Sequence, residues 1–142
     1  MTRNEFSFVI DTNVIVSALL FQSSIARQSF DKALNNGYLL QSFETIDELD
    51  NVLRREKFNK YVIETERLQF LGELVAQGKL IQIAEKVTEC RDPKDDKFLE
   101  LAINGSANFI VSGDQDLQVM HPFRDIPILS PMNFLALKLE NI

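Results

Sequence analysis

Two apolar triplets near opposite ends of the chain, Phe8-Val9-Ile10 and Phe109-Ile110-Val111, each run almost directly into an acidic turn. Both read as buried strands, because consecutive apolar residues leave neither face of a strand for water. Strand and helix patterns alternate along the chain. Such a sequence is expected to fold as an α/β protein, a three-layer α/β/α sandwich around a mainly parallel sheet. In a parallel sheet all strands end at one edge, and ligands bind in the crevice there. Asp11 and Asp114, which follow the two triplets, can therefore face one another although they lie far apart in sequence.

The first strand runs from Phe6 to Ile10, and helical patterns cover Val14 to Phe21 and Ser24 to Asn35, the second stopped by Gly37. After a short strand, Tyr38-Leu39-Leu40, Ser42 caps a helix whose apolar stripe is Phe43, Ile46, Leu49, Val52 and Leu53. Helix resumes from Glu64 to Gln77, stops at Gly78 and gives way to the alternating strand Leu80-Ile81-Gln82-Ile83. Asp92-Pro93 opens the next helix, with Asp92 as N-cap, and Gly105 ends it. A strand from Asn108 to Val111, a short helix, a strand around Ile126-Pro127-Ile128 and a helix opened by Ser130-Pro131 complete the chain. Pro127 has no N–H for a ladder, which puts the last strand at an edge. No repeat or linker interrupts the pattern, so residues 1–142 read as a single domain.

Composition removes most catalytic classes. A single histidine, His121, excludes histidine-rich zinc sites, and no Gly-x-Ser-x-Gly elbow supports a hydrolase triad. The five glycines form neither a dinucleotide fingerprint nor a phosphate-binding loop. Cys90 stands alone, which suits a reducing compartment. The opening residues lack the apolar core of a signal peptide, and no run approaches the roughly 18 residues of a membrane span. A cytoplasmic location is the expectation. The net charge of −6 argues against a protein that simply coats nucleic acid. If this chain does chemistry, carboxylates carry it.

Four acids are expected to converge. Asp11 can cap the next helix, but Thr12 and Asn13 can do that too. Glu48 lies beside the apolar stripe of its helix; the alternative is a capping box with Thr45. Asp95 sits three, four and seven residues before Phe98, Leu99 and Ala102, on the buried face of its helix, and Asp96 is the reserve. Asp92 reads as a structural cap. Asp114 and Asp116 follow the second triplet, with Ser112 able to bond a neighbouring carboxylate or water.

Gathering these acids is costly. Two like charges about 4 Å apart repel by roughly 4 kcal/mol at an effective dielectric of 20. Protons or a hard divalent cation must relieve that repulsion, and all-oxygen ligation selects Mg²⁺ or Mn²⁺. Such an ion polarises phosphate oxygens and acidifies water, so phosphodiester hydrolysis needs no histidine.

At this point the residues resemble the PIN-domain ribonucleases. The matching stretches are "VIDTNVIVSALL", "ETIDELDNVLRREKF", "DPKDDKFLELAINGSANFIVSGDQDL" and "ILSPMNFL", in order along essentially the whole chain. The resemblance implies Mg²⁺- or Mn²⁺-dependent cleavage of single-stranded RNA by a quartet of Asp11, Glu48, Asp95 and Asp114. It makes Asp116 a fifth metal-binding acid, with Asn13, Ser112 and Asp96 in support. It also implies that the chain is the toxin of a toxin–antitoxin pair, blocked by an antitoxin protein, and a homodimer. Arg54, Arg55 and Lys57, with Lys60, Lys94 and Lys97, are the basic residues available to RNA.

Two other classes with acidic Mg²⁺ pockets fit the sequence less well. A receiver-like signalling domain requires a phosphoacceptor Asp at a central strand end and a later Lys, and "LIQIAEKV" ends without that Asp. A haloacid-dehalogenase-type phosphatase requires Asp-x-Asp after the first strand, where this chain has Asp11-Thr12-Asn13. A non-catalytic interaction module of the same fold remains the alternative.

Overall fold

The computed structural model describes residues 5–141; Met1–Asn4, which belong to the opening read above as lacking a signal peptide, lie outside them. Five parallel strands form the sheet: β1 (Phe6–Ile10), β2 (Gly37–Gln41), β3 (Lys79–Leu80), β4 (Phe109–Val111) and β5 (Ile128–Leu129). Their order is β3-β2-β1-β4-β5. The chain moves outward from β1 in one direction, then returns to its other side. That reversal makes the gap between β1 and β4 the switch point of the sheet, where a crevice opens.

Among the described residues seven α-helices cover the two faces: α1 (Thr12–Leu20), α2 (Ile25–Asn36), α3 (Phe43–Leu53), α4 (Glu64–Gln77), α5 (Asp96–Asn104), α6 (Gln115–Gln118) and α7 (Pro131–Ala136). The alternation of β1 explains the layers. Phe8 and Ile10 join one core with residues of α1, α2, α3, α4 and α7, while Val9 joins the other with α5 and α6. The phenylalanine content has a structural use here. Phe8 stacks on Phe109 with ring centroids 5.8 Å apart, and Phe134 meets Phe8 edge-on at 5.5 Å. Each ring buried this way contributes about 2 kcal/mol of transfer free energy.

Serines and acids open the helices as the sequence suggests. Ser24, Ser42 and Ser130 each accept a backbone N–H of the first turn. Ser42 pairs with Thr45 in a reciprocal box, which removes Glu48 from any capping role. Gly37, which ends α2 and opens β2, has a steric basis: a Cβ there would lie 2.0 Å from the Phe6 carbonyl oxygen, inside the β1–β2 pairing.

Several expectations need correction. The first helix starts at Thr12 rather than Val14, because Asp11 itself is its cap. Phe43 is 78% exposed rather than part of the buried stripe. It borders a surface groove between α3 and α4, where Gly72 offers no side chain to cover the ring. The third strand is only Lys79–Leu80; beyond it Asn104 Oδ1 accepts the N–H groups of both Ala84 and Glu85 at 2.9 Å, drawing the chain toward the end of α5. Pro93–Asp95 form a 3₁₀ turn, so α5 begins at Asp96. The last strand shifts to Ile128–Leu129, past Pro127, at the sheet edge. Arg67, unnoticed in the sequence, is fully buried in α4 and donates to the carbonyls of Leu53, Val62 and Arg55 and to Asn59 Oδ1.

Candidate metal centre

The register of the two central strands assembles the site. Ile10 pairs with Val111, and the Asp11 N–H donates to the Val111 carbonyl, so Asp11 and Ser112 leave the sheet side by side. Asp11 is buried at 4% exposure. Its Oδ1 accepts the Val14 N–H at 2.9 Å, and its Oδ2 accepts the hydroxyl of the fully buried Ser112. The same Ser112 oxygen accepts the Asp114 N–H at 3.0 Å, tying the two strand ends together. Asp114 caps α6 and accepts the Asp116 N–H at 2.8 Å.

A cleft of about 280 Å³ opens beside these strand ends, lined by Asp11, Glu48, Asp92, Asp95 and Asp114 with Arg55 and Lys94. Glu48 reaches it from the middle of α3. One of its oxygens accepts the Thr12 hydroxyl and the other the Lys97 ammonium, 3.0 Å away. Asp95 enters from the 3₁₀ turn, and its Oδ2 is buried with no hydrogen-bond partner.

Electrostatics follow from this crowding. Burial, then the facing Asp114 carboxyl, pushes Asp95 up to about 7; Asp92 and Asp11 add to the effect. With both Asp95 and Asp114 ionised, two acceptors meet with no donor between them, so a proton or a cation must join them. Burial also raises Asp11, against the lowering effect of its Ser112 and Val14 hydrogen bonds.

The other expected residues divide clearly. Asn13 lines the cleft, and Asp116 pairs with Arg91 at its margin. Asp96 turns away and accepts the Cys90 N–H at 2.7 Å. Arg55 lines the cleft, whereas Arg54 is held by Asp50 at 3.0 Å, and Lys57 and Lys60 lie over the rings of Phe58 and Tyr61. Three carboxylates bring oxygens within 4.8 Å of one another: Asp92, Asp95 and Asp116; among the described residues no other three acids do so. Asp92 was read as a cap, which it is, since it accepts the Lys94 N–H, yet it also lines the cleft. Its spacing of three from Asp95 was the signal available. Lys97 pairs with an acid 49 residues away, which no local pattern announces.

The donor set fits a hard divalent cation. It is all oxygen, it contains an orphaned buried carboxylate atom, and burial followed by the facing Asp114 raises its Asp95 carboxyl to about 7. Asp95 is the pivot, because it belongs to the close triad and also interacts with Asp11 and Asp114.

Comparison with known proteins agrees in fold. A model of the PIN domain matches residues 7–116. An uncharacterized protein of Methanocaldococcus jannaschii is 29% identical over 119 residues, covering 82% of this chain and 76% of its own. Among solved structures, a chain of VapBC2 from Rickettsia felis bound to a promoter DNA fragment aligns with TM-score 0.61 at 14% identity, over 88% of this chain and 98% of that one. A chain of FitAcB from Neisseria gonorrhoeae gives 0.59 at 18% identity, over 88% and 98%. PAE2754 from Pyrobaculum aerophilum gives 0.60 at 14% identity, over 93% and 91%. At these identities the structural likeness is one of fold.

Proposed function

Because the chain belongs to the PIN-domain family, a family of nucleases, we propose that it is a Mg²⁺- or Mn²⁺-dependent endoribonuclease that hydrolyses single-stranded RNA. The observation that carries the reading is the partnerless Asp95 Oδ2, buried in a cleft that Asp11 and Asp114 also line. Asp11, Asp95 and Asp114 would hold the ion, with Glu48 facing them and Asp116 at the margin. A bound ion supplies positive charge to phosphate oxygens and a more acidic water.

The chain's own groups do the rest. The Val14 N–H and the Ser112 hydroxyl fix both oxygens of Asp11, so that carboxylate needs no reorganisation when substrate arrives. Asp95 Oδ2, buried without a partner in the protein, is the atom left for the ion, whose charge would hold this carboxyl ionised. Arg55 and Lys94 on the cleft wall offer cations to the phosphates flanking the scissile bond, and Asn13 offers a neutral donor.

The same reading makes the chain the toxin of a toxin–antitoxin pair, supported by its fold likeness to chains of VapBC2 and FitAcB. An antitoxin that blocks it would carry cationic side chains into this acidic cleft. Homodimerisation is proposed from the family resemblance. Among the described residues no helix is long and apolar enough to cross a membrane.

Cleavage of a labelled single-stranded RNA in Mn²⁺ tests the proposal, comparing wild type with Asp11→Asn and Asp114→Asn. Metal-dependent cutting that disappears in both variants supports the nuclease. Equal background in all three proteins would leave a non-catalytic interaction module. Because the acids share one ion, the double variant should lose no more than either single one.

A further inference from the structure

We infer that Lys97 is a resident cation of the cleft, which neutralises Glu48 and limits the site to one divalent ion per chain; the inference rests on the metal-dependent reading above. The acids around the cleft fall into two sets. Glu48, Asp92 and Asp116 each have a side-chain cation within salt-bridge distance: Lys97, Lys94 and Arg91. Among the described residues, no lysine or arginine pairs with Asp11, Asp95 or Asp114. Those three are the acids that only an added cation can neutralise.

The three pairs differ in permanence. Lys94 is 83% exposed and 3.9 Å from Asp92, and Arg91 is 60% exposed, so both can swing into water and leave Asp92 and Asp116 to the one ion that Asp95 holds. Lys97 is only 16% exposed, and its ammonium is held by two acceptors, Glu48 Oε1 and the Lys94 carbonyl. The second acceptor keeps it in place whatever Glu48 does. The ammonium also lies over the Phe98 ring, 5.6 Å from its centroid. The other Glu48 oxygen already takes the Thr12 hydroxyl. A second divalent ion on Glu48 would have to sit beside an ammonium that a second acceptor holds, against Coulomb repulsion of several kcal/mol.

Counting bound Mn²⁺ by electron paramagnetic resonance and calorimetry, on the metal-stripped chain titrated with Mn²⁺ alone, tests this without reference to activity. Wild type and Lys97→Arg, which keeps the charge, should bind one ion per chain, and Lys97→Met should bind two. Glu48→Gln should weaken binding less than about threefold in the wild-type background but at least tenfold at the second site of Lys97→Met, a coupling that lost packing cannot mimic. Two ions in wild type, or one ion in Lys97→Met with unchanged affinity and a native melting curve, overturns the inference while leaving the nuclease reading intact. If Lys97→Met does not fold, Lys97→Gln takes its place under the same criteria. Binding of no ion by wild type overturns both.

Discussion

Replacing Asp95 by Asn should make the metal-free protein more stable at neutral and alkaline pH. In the unfolded chain this carboxyl titrates at its ordinary value of 3.8, and in the folded protein near 7. Below 3.8 both states hold the proton, and stability is unaffected. Between the two values the folded state keeps a proton that the unfolded state releases, so stability falls as pH rises. Above 7 the loss is complete. Each pH unit of displacement corresponds to about 1.4 kcal/mol, which sets a ceiling near 4 kcal/mol for roughly three units. Solvent reaches part of this carboxyl and screens it, which brings the figure to about 2 kcal/mol. Asn has the same shape, carries no charge, and offers Asp114 the N–H that an ionised Asp95 lacks. Urea unfolding in EDTA at pH 8 should show Asp95→Asn ahead by about 2 kcal/mol, a rise of about 5 °C in Tm. At pH 4 the advantage should shrink to a few tenths of that. In Mn²⁺ at a hundred times its Kd the order should reverse, because wild type gains about 2.7 kcal/mol and the variant loses a ligand. Equal stability at pH 8, or the same gain at pH 4 and pH 8, would refute the assignment of Asp95 as a strained acid.

Other residues give sharper structural tests. Ser112→Ala removes the hydroxyl donated to Asp11 and leaves a buried carboxylate short of a donor; it should cost about 1–3 kcal/mol at pH 7 and weaken Mn²⁺ binding in calorimetry. Arg67→Met strands the carbonyls of Leu53, Val62 and Arg55 and should lower stability by about 3 kcal/mol in urea, more than Arg67→Lys, which retains part of the donor set. Phe43→Ser should change the unfolding free energy in urea by no more than about 0.5 kcal/mol, because that ring is exposed.

How much of this could be read from the sequence varied with the range of the interaction. The apolar triplets announced β1 and β4, serine caps placed the starts of α2, α3 and α7, and glycine stops placed the ends of α2, α4 and α5, because those signals are local. The meeting of Asp11 with Asp114 followed from strand polarity alone. Phe43 misled because helical phase says which residues share a face, not whether a neighbour covers it. Helical phase points to Asp95, which lies instead in a 3₁₀ turn ahead of α5; it reaches the cleft beside Phe98, and Asp96 is occupied by the Cys90 N–H. Arg67 and Lys97 were illegible as partners. A buried arginine bonded to carbonyls and a lysine bonded across to another helix leave no periodic trace.

The place of β1 between β2 and β4 also has a bearing on synthesis. A ribosome makes β1, α1 and β2 early, and they can begin to pair at once, but the far wall of the cleft does not exist until β4 and Asp114 emerge. Closing that long loop is slow compared with the local pairing that precedes it. A nascent or truncated chain therefore carries Asp11 and Glu48 with nothing opposite them. The cleft is complete only once Asp114 has been made and β4 has paired with β1.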